Sequence, residues 1–276
     1  MRVLLTGGCG YVGSVLVPKL LAAGHRVRVV DLQWFGNYLI SHPRLEIEKA
    51  DFRQCEVNED VVIHLAAIAN DPHGDLDPKL TWETNALGTM QLADKAARSG
   101  VKQFIYASSG SVYGISDAPQ VTEKAPLVPI SEYNKTKAVA ERCLLSYADR
   151  MAIQIIRPAT VCGFSPRMRL DVAVNNIAFL GASGVITIHG GRQIRPNIHI
   201  EDITDLYVQL LETPDELIAG ETFNAGYQNH TIAELAAMVK NVVENEMPER
   251  APIEVVFTPT NDLRSYHVSS RKIKEK

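Results

Sequence analysis

Short apolar runs recur along the first half of the sequence, and each predicts a buried β-strand. They comprise residues 3–6, 26–31, 45–49, 61–66, 103–108 and 153–157. Segments with apolar residues at helical spacing separate several of these runs, notably residues 12–23, 81–99 and 133–149. Strands rich in Val, Ile and Leu that alternate with helices are typical of a parallel sheet covered on both faces. The pattern therefore predicts an α/β fold with a doubly wound parallel sheet.

The pattern loosens after Val161. Residues 164–195 include proline, several glycines and four arginines, so we expect an irregular stretch that forms the wall of a pocket. Residues 198–212 resume a strand-plus-helix pattern, and residues 232–244 have the spacing of an amphipathic helix. We therefore expect a smaller C-terminal lobe beside the sheet.

Composition and charge exclude several functional classes. The 276 residues carry a formal net charge of −4, which argues against a nucleic-acid-binding protein, because that needs a concentrated basic face. The four cysteines lie far apart without a CxxC or Cys/His cluster, so we expect reduced thiols and neither disulfides nor a metal site. No apolar stretch is long enough to span a bilayer, and residues 1–6 enter a strand without a cleavable leader. We expect a cytoplasmic protein.

A glycine-rich loop follows the first predicted strand and opens the first predicted helix. Its sequence, over residues 6–13, is TGGCGYVG. Gly7 and Gly10 allow a tight turn and close approach to a pyrophosphate, and Gly13 allows the helix to pack on the sheet. Amide groups at the helix start, including those of Tyr11 and Val12, then face the anion. In this strand–turn–helix context the loop favours a Rossmann-type dinucleotide site over a plain glycine-rich turn.

Asp31 ends the second predicted strand, where a carboxylate accepts hydrogen bonds from the adenosine ribose. Leu32 and Gln33 follow, so no basic residue stands beside it to bind a 2′-phosphate. This favours NAD over NADP. Two further strand ends are expected to contact the cofactor near the adenine or along its backbone, through Asp51, Phe52, Leu65, Ala66 and Ala67.

These features suggest two lobes. We predict an NAD-binding Rossmann domain formed by residues 1–164 plus about 195–226. We predict a smaller substrate-binding lobe formed by about 165–194 plus 227–276. Neither lobe is one continuous segment of the chain.

Tyr133 and Lys137 have the strongest chemical spacing in the sequence. In a helix, residues four apart share one face, so both side chains can point into one cleft. A phenol normally loses its proton near pH 10, and a neighbouring ammonium lowers that pKa, which suits a general base. The same lysine can hydrogen-bond the nicotinamide ribose. This spacing also occurs by chance in many helices, so it needs support from elsewhere.

Support comes from hydroxyl groups at the end of the fifth predicted strand. Ser108, Ser109 and Ser111 follow Ala107 there, at the edge where open α/β sheets place their ligands. Such a hydroxyl can hydrogen-bond a substrate hydroxyl and pass its proton to Tyr133. From the residues alone the three serines remain alternatives, and a simple polar turn is another.

In combination, these motifs resemble those of the extended short-chain dehydrogenase/reductases, the NAD-dependent epimerase/dehydratase group. The resemblance runs from residue 1 to about 272, and nucleotide-sugar 4-epimerases are the most similar members. It is carried, in order, by TGGxGxxG, Asp31, DxR, HLAA, SSxSVYG and YxxxK. In that group a segment like residues 265–273 usually precedes a final strand and helix. A shortened chain or a naturally short terminus would explain the end at Lys276.

The resemblance implies specific roles. Alignment on the VYG triplet, residues 112–114, puts the catalytic hydroxyl at Ser109, with Tyr133 as base and Lys137 as the ribose-binding lysine. Further cofactor contacts or supporting positions are implied at Asn85, Ala107, Pro158 and Val161.

The resemblance also implies substrate contacts. Arg195 lies in RPNIHIED, which is similar to a family segment whose arginine grips a substrate phosphate, although Pro196 replaces the usual Asp. Gly110 and Ser111 occupy the positions where sugar 4,6-dehydratases carry an acidic pair. We expect these two to contact substrate but not to eliminate water. Further candidates for the diphosphate or sugar are Arg167, Arg169, Asn176 and Arg264.

We therefore expect an NAD-dependent enzyme that epimerises a nucleoside-diphosphate sugar through a transient keto-sugar. A dehydrogenase or reductase with net redox chemistry would use the same residues and remains an alternative. A non-catalytic NAD(H)-sensing regulator and an NADP-dependent reductase are more remote, because the tyrosine–lysine pair and Asp31 argue against them. Relatives commonly form homodimers through two helices per subunit, here residues 81–99 and 133–149.

Overall fold

The computed structural model describes residues 1–116, 118–260 and 265–276. Within these ranges the strands are β1 Arg2–Thr6, β2 Arg26–Asp31, β3 Leu45–Lys49, β4 Val61–His64, β5 Gln103–Ala107, β6 Ala152–Pro158, β7 Thr160–Cys162, β8 Val185–His189, β9 Ile194–His199, β10 Glu221–Ala225, β11 Gln228–Thr231 and β12 Glu254–Thr258. The α-helices are α1 Gly13–Ala22, α2 Asp71–Leu76, α3 Pro78–Thr81, α4 Thr89–Arg98, α5 Glu132–Leu145, α6 Ala173–Ala182, α7 Ile200–Glu212, α8 Asp215–Ile218, α9 Ile232–Glu246 and α10 Arg271–Glu275. A π-helical stretch, Trp82–Gly88, and 3-10 turns at Gly110–Tyr113 and Pro248–Arg250 complete the described elements.

The central sheet has seven parallel strands in the order β10-β6-β5-β4-β1-β2-β3. All six strands predicted for the first half of the chain are present, with ends that differ from the prediction by at most two residues. The doubly wound parallel sheet is therefore confirmed. Its carboxyl ends lie along one edge, where ligands bind in open sheets of this kind.

The alternation of side chains along β1 explains why both faces of the sheet are covered. Val3 and Leu5 point to a cluster that includes Leu16 of α1 and Tyr207 of α7. Leu4, between them, points to the opposite cluster, which includes residues of α4 and α5. Because both faces are covered, apolar side chains suit every position of the central strands.

The segment 164–195 is not irregular throughout, so that expectation is wrong. It contains α6 and β8, and β8 pairs in parallel with β12. Ile177 of α6, Ile186 of β8 and Leu235 of α9 share one small apolar cluster. The glycines mark the sharp turns around β8, where Gly184 and Gly190 have φ of +96° and +82°. In this segment the glycine turns separate short helices and strands, and they do not indicate an irregular chain.

Two predicted helices differ from the structure by more than two residues at one end. The helix expected over residues 81–99 is helical from Pro78 to Arg98, with a π-helical middle that contains Asn85. The helix expected over residues 133–149 begins at Glu132 and ends at Leu145. Its N-terminus is capped by Ser131, whose hydroxyl accepts a hydrogen bond from the Asn134 amide at 3.1 Å. This cap starts the helix just before Tyr133.

The last part of the chain contributes to more than one sheet. β10 joins the central sheet beside β6, and α7 packs on α1. β9 instead pairs with β7 and β11 in a separate three-stranded sheet. The boundary between the two lobes stays a prediction. Across the described ranges, no helix combines the length and apolar character needed to cross a membrane.

Candidate functional site

A continuous cleft of about 1480 Å³ follows the carboxyl ends of the central strands and reaches the segment 167–195. Most of the residues singled out in the sequence line it. They are Gly7, Gly10, Tyr11, Val12, Gly13, Asp31, Asp51, Phe52, Leu65, Ala66, Ala67, Ala107, Ser109, Ser111, Tyr133, Lys137, Pro158, Val161, Arg167, Arg169, Asn176 and Arg195.

Three residues singled out in the sequence are not on the described wall. Asn85 is buried behind it, where its side chain exchanges hydrogen bonds with the amide and carbonyl of Ile68 at 2.8 and 2.9 Å. Gly110 is buried against Pro158, whose carbonyl oxygen lies 3.0 Å from the position of a Cβ. Arg264 lies outside the described residues.

The glycine loop is shaped by close backbone contacts. Gly7 has φ of +75°, and a Cβ there would lie 2.6 Å from the amide nitrogen of Ala66. A Cβ on Gly13 would lie 2.5 Å from the backbone of Gly8. These two positions therefore require glycine. The loop presents the N-terminus of α1 to the cleft, and such a terminus attracts a phosphate group.

Asp31 lines the cleft next to this loop. Its carboxylate accepts hydrogen bonds from the amides of Cys9 at 3.0 Å and Gln33 at 2.7 Å, which fix its orientation. Asp51 forms an ion pair with Arg53 at 2.6 Å, and that contact lowers the pKa of the Asp51 carboxyl. Both carboxylates can thus accept hydrogen bonds from a nucleoside placed along this part of the cleft.

Tyr133 and Lys137 both line the cleft and lie close to each other. The ammonium of Lys137 donates a 2.7 Å hydrogen bond to the carbonyl of Ala107 and lies 5.8 Å from the centre of the Tyr133 ring. It also lies 4.7 Å from the centre of the Tyr106 ring. Burial lowers the pKa of Lys137 to about 7, against an opposing effect of the Glu141 charge.

The pKa of Tyr133 differs from the expectation that Lys137 would lower it. Burial raises the pKa of the phenol in the protein alone. The positive charge of Arg169 and a hydrogen bond with Ser109 oppose that rise. Because Lys137 is itself buried and easily loses its proton, it is a weaker source of positive charge than an exposed lysine would be.

The structure separates the three candidate serines. Ser109 lies close enough to Tyr133 for its hydroxyl to lower the pKa of the phenol, and it lies 2.6 Å from the hydroxyl of Ser111. Ser111 in turn donates to the side chain of Asn134. Ser108 points the other way, into the protein, where its hydroxyl donates to Glu141. The hydroxyl next to the phenol is therefore that of Ser109.

Among the arginines that line the cleft, Arg169 lies near Tyr133. Its guanidinium pairs with Asp171 at 2.5 and 3.0 Å, and Asn70 donates to the same carboxylate at 2.6 Å. These contacts connect the loop after β4 with the segment before α6. The charge of Arg169 is close enough to affect the pKa of Tyr133.

The other substrate candidates occupy different parts of the wall. Arg167 stacks on the ring of Phe35 at 3.9 Å. This places Arg167 beside the loop that follows Asp31. Arg195 and Asn176 line the cleft, with side-chain hydrogen bonds to the carbonyls of Ile194 at 3.2 Å and Leu170 at 3.0 Å.

Two groups of site residues carry no motif in the sequence. The first links Tyr11 to Gly163 and Asn175, which are more than 150 positions away. The second is the buried pair of Glu141 and Arg157. The spacing of Glu141, four residues after Lys137, is a signal that could have drawn attention to it.

Comparison with known proteins identifies relatives over most of the chain. Residues 3–226 match the model of the NAD dependent epimerase/dehydratase family. A probable UDP-arabinose 4-epimerase from Arabidopsis thaliana is 29% identical, with 98% of this chain and 77% of that protein covered. A UDP-glucuronic acid decarboxylase from the same plant is 31% identical, with 88% of this chain and 59% of that protein covered.

Solved structures give the same result. The UDP-glucose 4-epimerase of Thermotoga maritima with UDP-glucose has a TM-score of 0.88 and 26% identity, covering 100% of this chain and 92% of that one. The Thermus thermophilus UDP-glucose 4-epimerase in complex with NAD has a TM-score of 0.85 and 25% identity, with the same coverage. The resemblance inferred from the motifs is confirmed. On this evidence the chain belongs to the NAD-dependent epimerase/dehydratase family, whose relatives here include UDP-sugar 4-epimerases.

Proposed function

We propose that this protein is an NAD-dependent epimerase of a nucleoside-diphosphate sugar, acting through a transient keto-sugar. The observation that carries the proposal is the convergence of Ser109, Tyr133 and Lys137 at one end of a cleft that begins at a phosphate-binding loop. Relatives named as UDP-sugar 4-epimerases support the same reaction and suggest a UDP-sugar.

The described residues fit NAD. The helix N-terminus behind Gly7 and Gly10 suits the pyrophosphate, and the oriented carboxylate of Asp31 suits the adenosine ribose. Lys137 suits the second ribose, because its ammonium is anchored at the carbonyl of Ala107 beside the reaction centre. When bound, NAD supplies a nicotinamide ring that takes up a hydride from the sugar carbon and returns it.

The side chains supply the proton transfer. Ser109 hydrogen-bonds the reacting sugar hydroxyl, and Tyr133 removes its proton as the carbon is oxidised. Tyr133 returns the proton after the keto-sugar has presented its other face. The charge of Arg169 stabilises the phenolate, which burial alone would destabilise. The ammonium of Lys137, 5.8 Å from the centre of the Tyr133 ring, adds to this effect while it holds its proton.

Anchoring the nucleotide allows the sugar to turn without leaving. Arg195 is the candidate for the diphosphate, since it lines the cleft and a guanidinium binds phosphate oxygens well. Binding energy from the nucleotide can hold the substrate while the sugar reorients.

Net oxidation or reduction of the sugar is the second candidate, because it needs the same three side chains. Dehydration is disfavoured, because Gly110 and Ser111 lack the carboxylates that an elimination of water requires. One relative is named as a UDP-glucuronic acid decarboxylase, but none of the described residues of this site specifically supports decarboxylation.

We further propose a cytoplasmic homodimer. Leu87, Met90 and Val139 are exposed by 48%, 40% and 42% on the helical segments 82–98 and 132–145. Such apolar side chains would be covered if two copies paired through these helices. Light scattering of the wild type and of Val139→Glu tests the assembly. The wild type should be a dimer and the variant a monomer, and a monomeric wild type would contradict the proposal.

The decisive experiment incubates the protein with UDP-, GDP-, CDP- and dTDP-sugars, with and without added NAD, and identifies the products. We expect an epimer and no net consumption of NAD. Tyr133→Phe should abolish turnover, while NAD binding, measured by calorimetry, stays nearly unchanged. Full activity of Tyr133→Phe would disprove the assignment, and a stoichiometric yield of NADH would indicate a dehydrogenase instead.

A further inference from the structure

A buried carboxylate lies directly behind the reaction centre. Glu141 follows Lys137 by one turn of α5, and its side chain is buried with that of Arg157 on β6. Arg157 donates two hydrogen bonds to it, from Nε at 3.0 Å and from Nη2 at 2.6 Å. Ser108 donates a third. The reaction proposed above assigns no task to this group.

The bond from Ser108 connects Glu141 to two parts of the centre at once. Ser108 lies between Ala107, whose carbonyl anchors the Lys137 ammonium, and Ser109, whose hydroxyl faces the phenol. Its own amide donates to β6 at 2.8 Å. The carboxylate therefore holds the end of β5 against α5, and with it the positions of both groups.

The charge of Glu141 also faces Lys137. In the part of the chain that the structure describes, the other titratable groups found around this ammonium are Tyr133 on α5, Tyr106 on β5 and His64 on β4. Burial lowers the pKa of His64 to about 3 and raises the pKa of both phenols, so these groups are uncharged near pH 7. Among the described residues, Glu141 is thus the anion that favours the charged form of the lysine.

We propose that Glu141 is a positioning residue for this reaction, which fixes residues 107–109 through Ser108 and presents a negative charge to Lys137. The inference rests on the proposed function, because Ser109 and Lys137 matter only if Tyr133 transfers the proton. Arg157 balances the buried carboxylate, since an unpaired charge at this depth would be strongly unfavourable. Glu141 itself touches neither substrate nor cofactor in this role.

The test compares the pH dependence of kcat in the NAD-loaded enzyme and in Glu141→Gln. Removing the negative charge favours the neutral lysine, so the upper pH limit of kcat should move to lower pH. If the upper limit moves down by one pH unit, kcat falls about tenfold at pH values above the limit and much less at pH values below it. The pKa of Lys137 in the NAD-free protein, followed by NMR of ¹³C-labelled lysine, should fall as well, with Lys137→Arg assigning the signal.

Three variants make the outcome specific. Ser108→Ala keeps the buried ion pair and should lower kcat without moving the pH limit. Glu141→Asp keeps the charge and should retain the wild-type limit. Glu59→Gln removes the negative charge of a less buried pair with Arg28, 2.8 Å apart and not among the residues that line the cleft, and should leave the pH profile unchanged.

An unchanged pH limit and an unchanged Lys137 pKa in Glu141→Gln would overturn the charge role, and unchanged kcat in Ser108→Ala would overturn the positioning role. If Glu141→Gln does not fold, Glu141→Ala combined with Arg157→Met removes both buried charges. The pH limit should then move in the same direction by a smaller amount, because the positive charge of Arg157 is lost as well, and no movement would overturn the charge role. Activity in Tyr133→Phe would instead defeat the proposed function, so the two failures can be told apart.

Discussion

The hydroxyl of Tyr11 donates a 2.7 Å hydrogen bond to the backbone carbonyl of Gly163. Tyr11 belongs to the glycine loop, and Gly163 follows β7 at the start of the segment that carries Arg167 and Arg169. The side chain of Asn175 donates to the same hydroxyl at 3.1 Å. One phenol therefore connects the phosphate-binding loop to the wall proposed for the substrate.

Removing this hydroxyl should loosen the connection. In Tyr11→Phe the Gly163 carbonyl loses its donor, which should lower the free energy of unfolding by about 1 to 2 kcal/mol. We also expect weaker NAD binding by a few fold. Urea denaturation and calorimetry measure the two effects. Tyr227→Phe, at an exposed ring that does not line the cleft, is the control and should change stability and NAD binding little. Equal stability of the two variants would show that the bond is unimportant.

Gly7 and Gly100 offer a matched pair for backbone shape. Both have φ of +75°, but a Cβ on Gly7 would clash with Ala66, whereas nothing lies within 4 Å of one on Gly100. Gly100→Ala should cost about 1 kcal/mol, the expense of a left-handed backbone alone. Gly7→Ala should cost about 1 to 3 kcal/mol more from overpacking and should weaken NAD binding at least tenfold. Similar losses in both variants would contradict the importance of close approach.

The buried Lys137 should make stability depend on pH. Its pKa of about 7 in the folded protein lies below the value of about 10.4 in an unfolded chain. The unfolded state therefore binds more protons between these values, and stability should rise with pH across that window. Lys137→Met removes this contribution, so the wild type should gain stability relative to it from pH 7 to about 10. Urea denaturation of the NAD-free proteins tests this, with Lys135→Met as control. Parallel pH curves for the wild type and Lys137→Met would refute it.

The contact between Arg167 and Phe35 should affect the cofactor more than the substrate. A guanidinium stacked on an aromatic ring contributes about 0.5 to 1 kcal/mol at an exposed site. Arg167→Ala and Phe35→Ala should each release NAD about two to five times faster, with little change in the KM for substrate. Stopped-flow fluorescence measures the release. Arg192→Ala, an exposed arginine of the same region, is the control. A raised KM for the substrate with an unchanged rate of NAD release would instead indicate that Arg167 contacts the substrate.

Local features were predictable because they depend on neighbours in the sequence. Apolar runs of strand length determine the central sheet, because a strand that is apolar at every position must be covered on both of its faces. The spacing of Tyr133 and Lys137 puts them on one face of a helix whatever surrounds it. The glycine loop is similarly local, because its turn and helix start follow directly from residues 6–13.

Other features were decided only when distant segments met. The sequence allowed three serines as the hydroxyl beside Tyr133, and Ser109 was separated from Ser108 by the buried carboxylate of Glu141. Arg167 lies on Phe35 because two loops far apart in the chain come together there. The pKa of Tyr133 reflects burial and a charge on another segment, which no periodicity records.

The sequence by itself thus determined the parallel sheet, the dinucleotide loop and the tyrosine–lysine pair, because each arises from short-range periodicity and backbone geometry. The tertiary structure decided which hydroxyl, which arginine and which buried charge accompany that pair. Those choices depend on packing and electrostatics between elements far apart in the chain, and such interactions exist only once the elements are folded together.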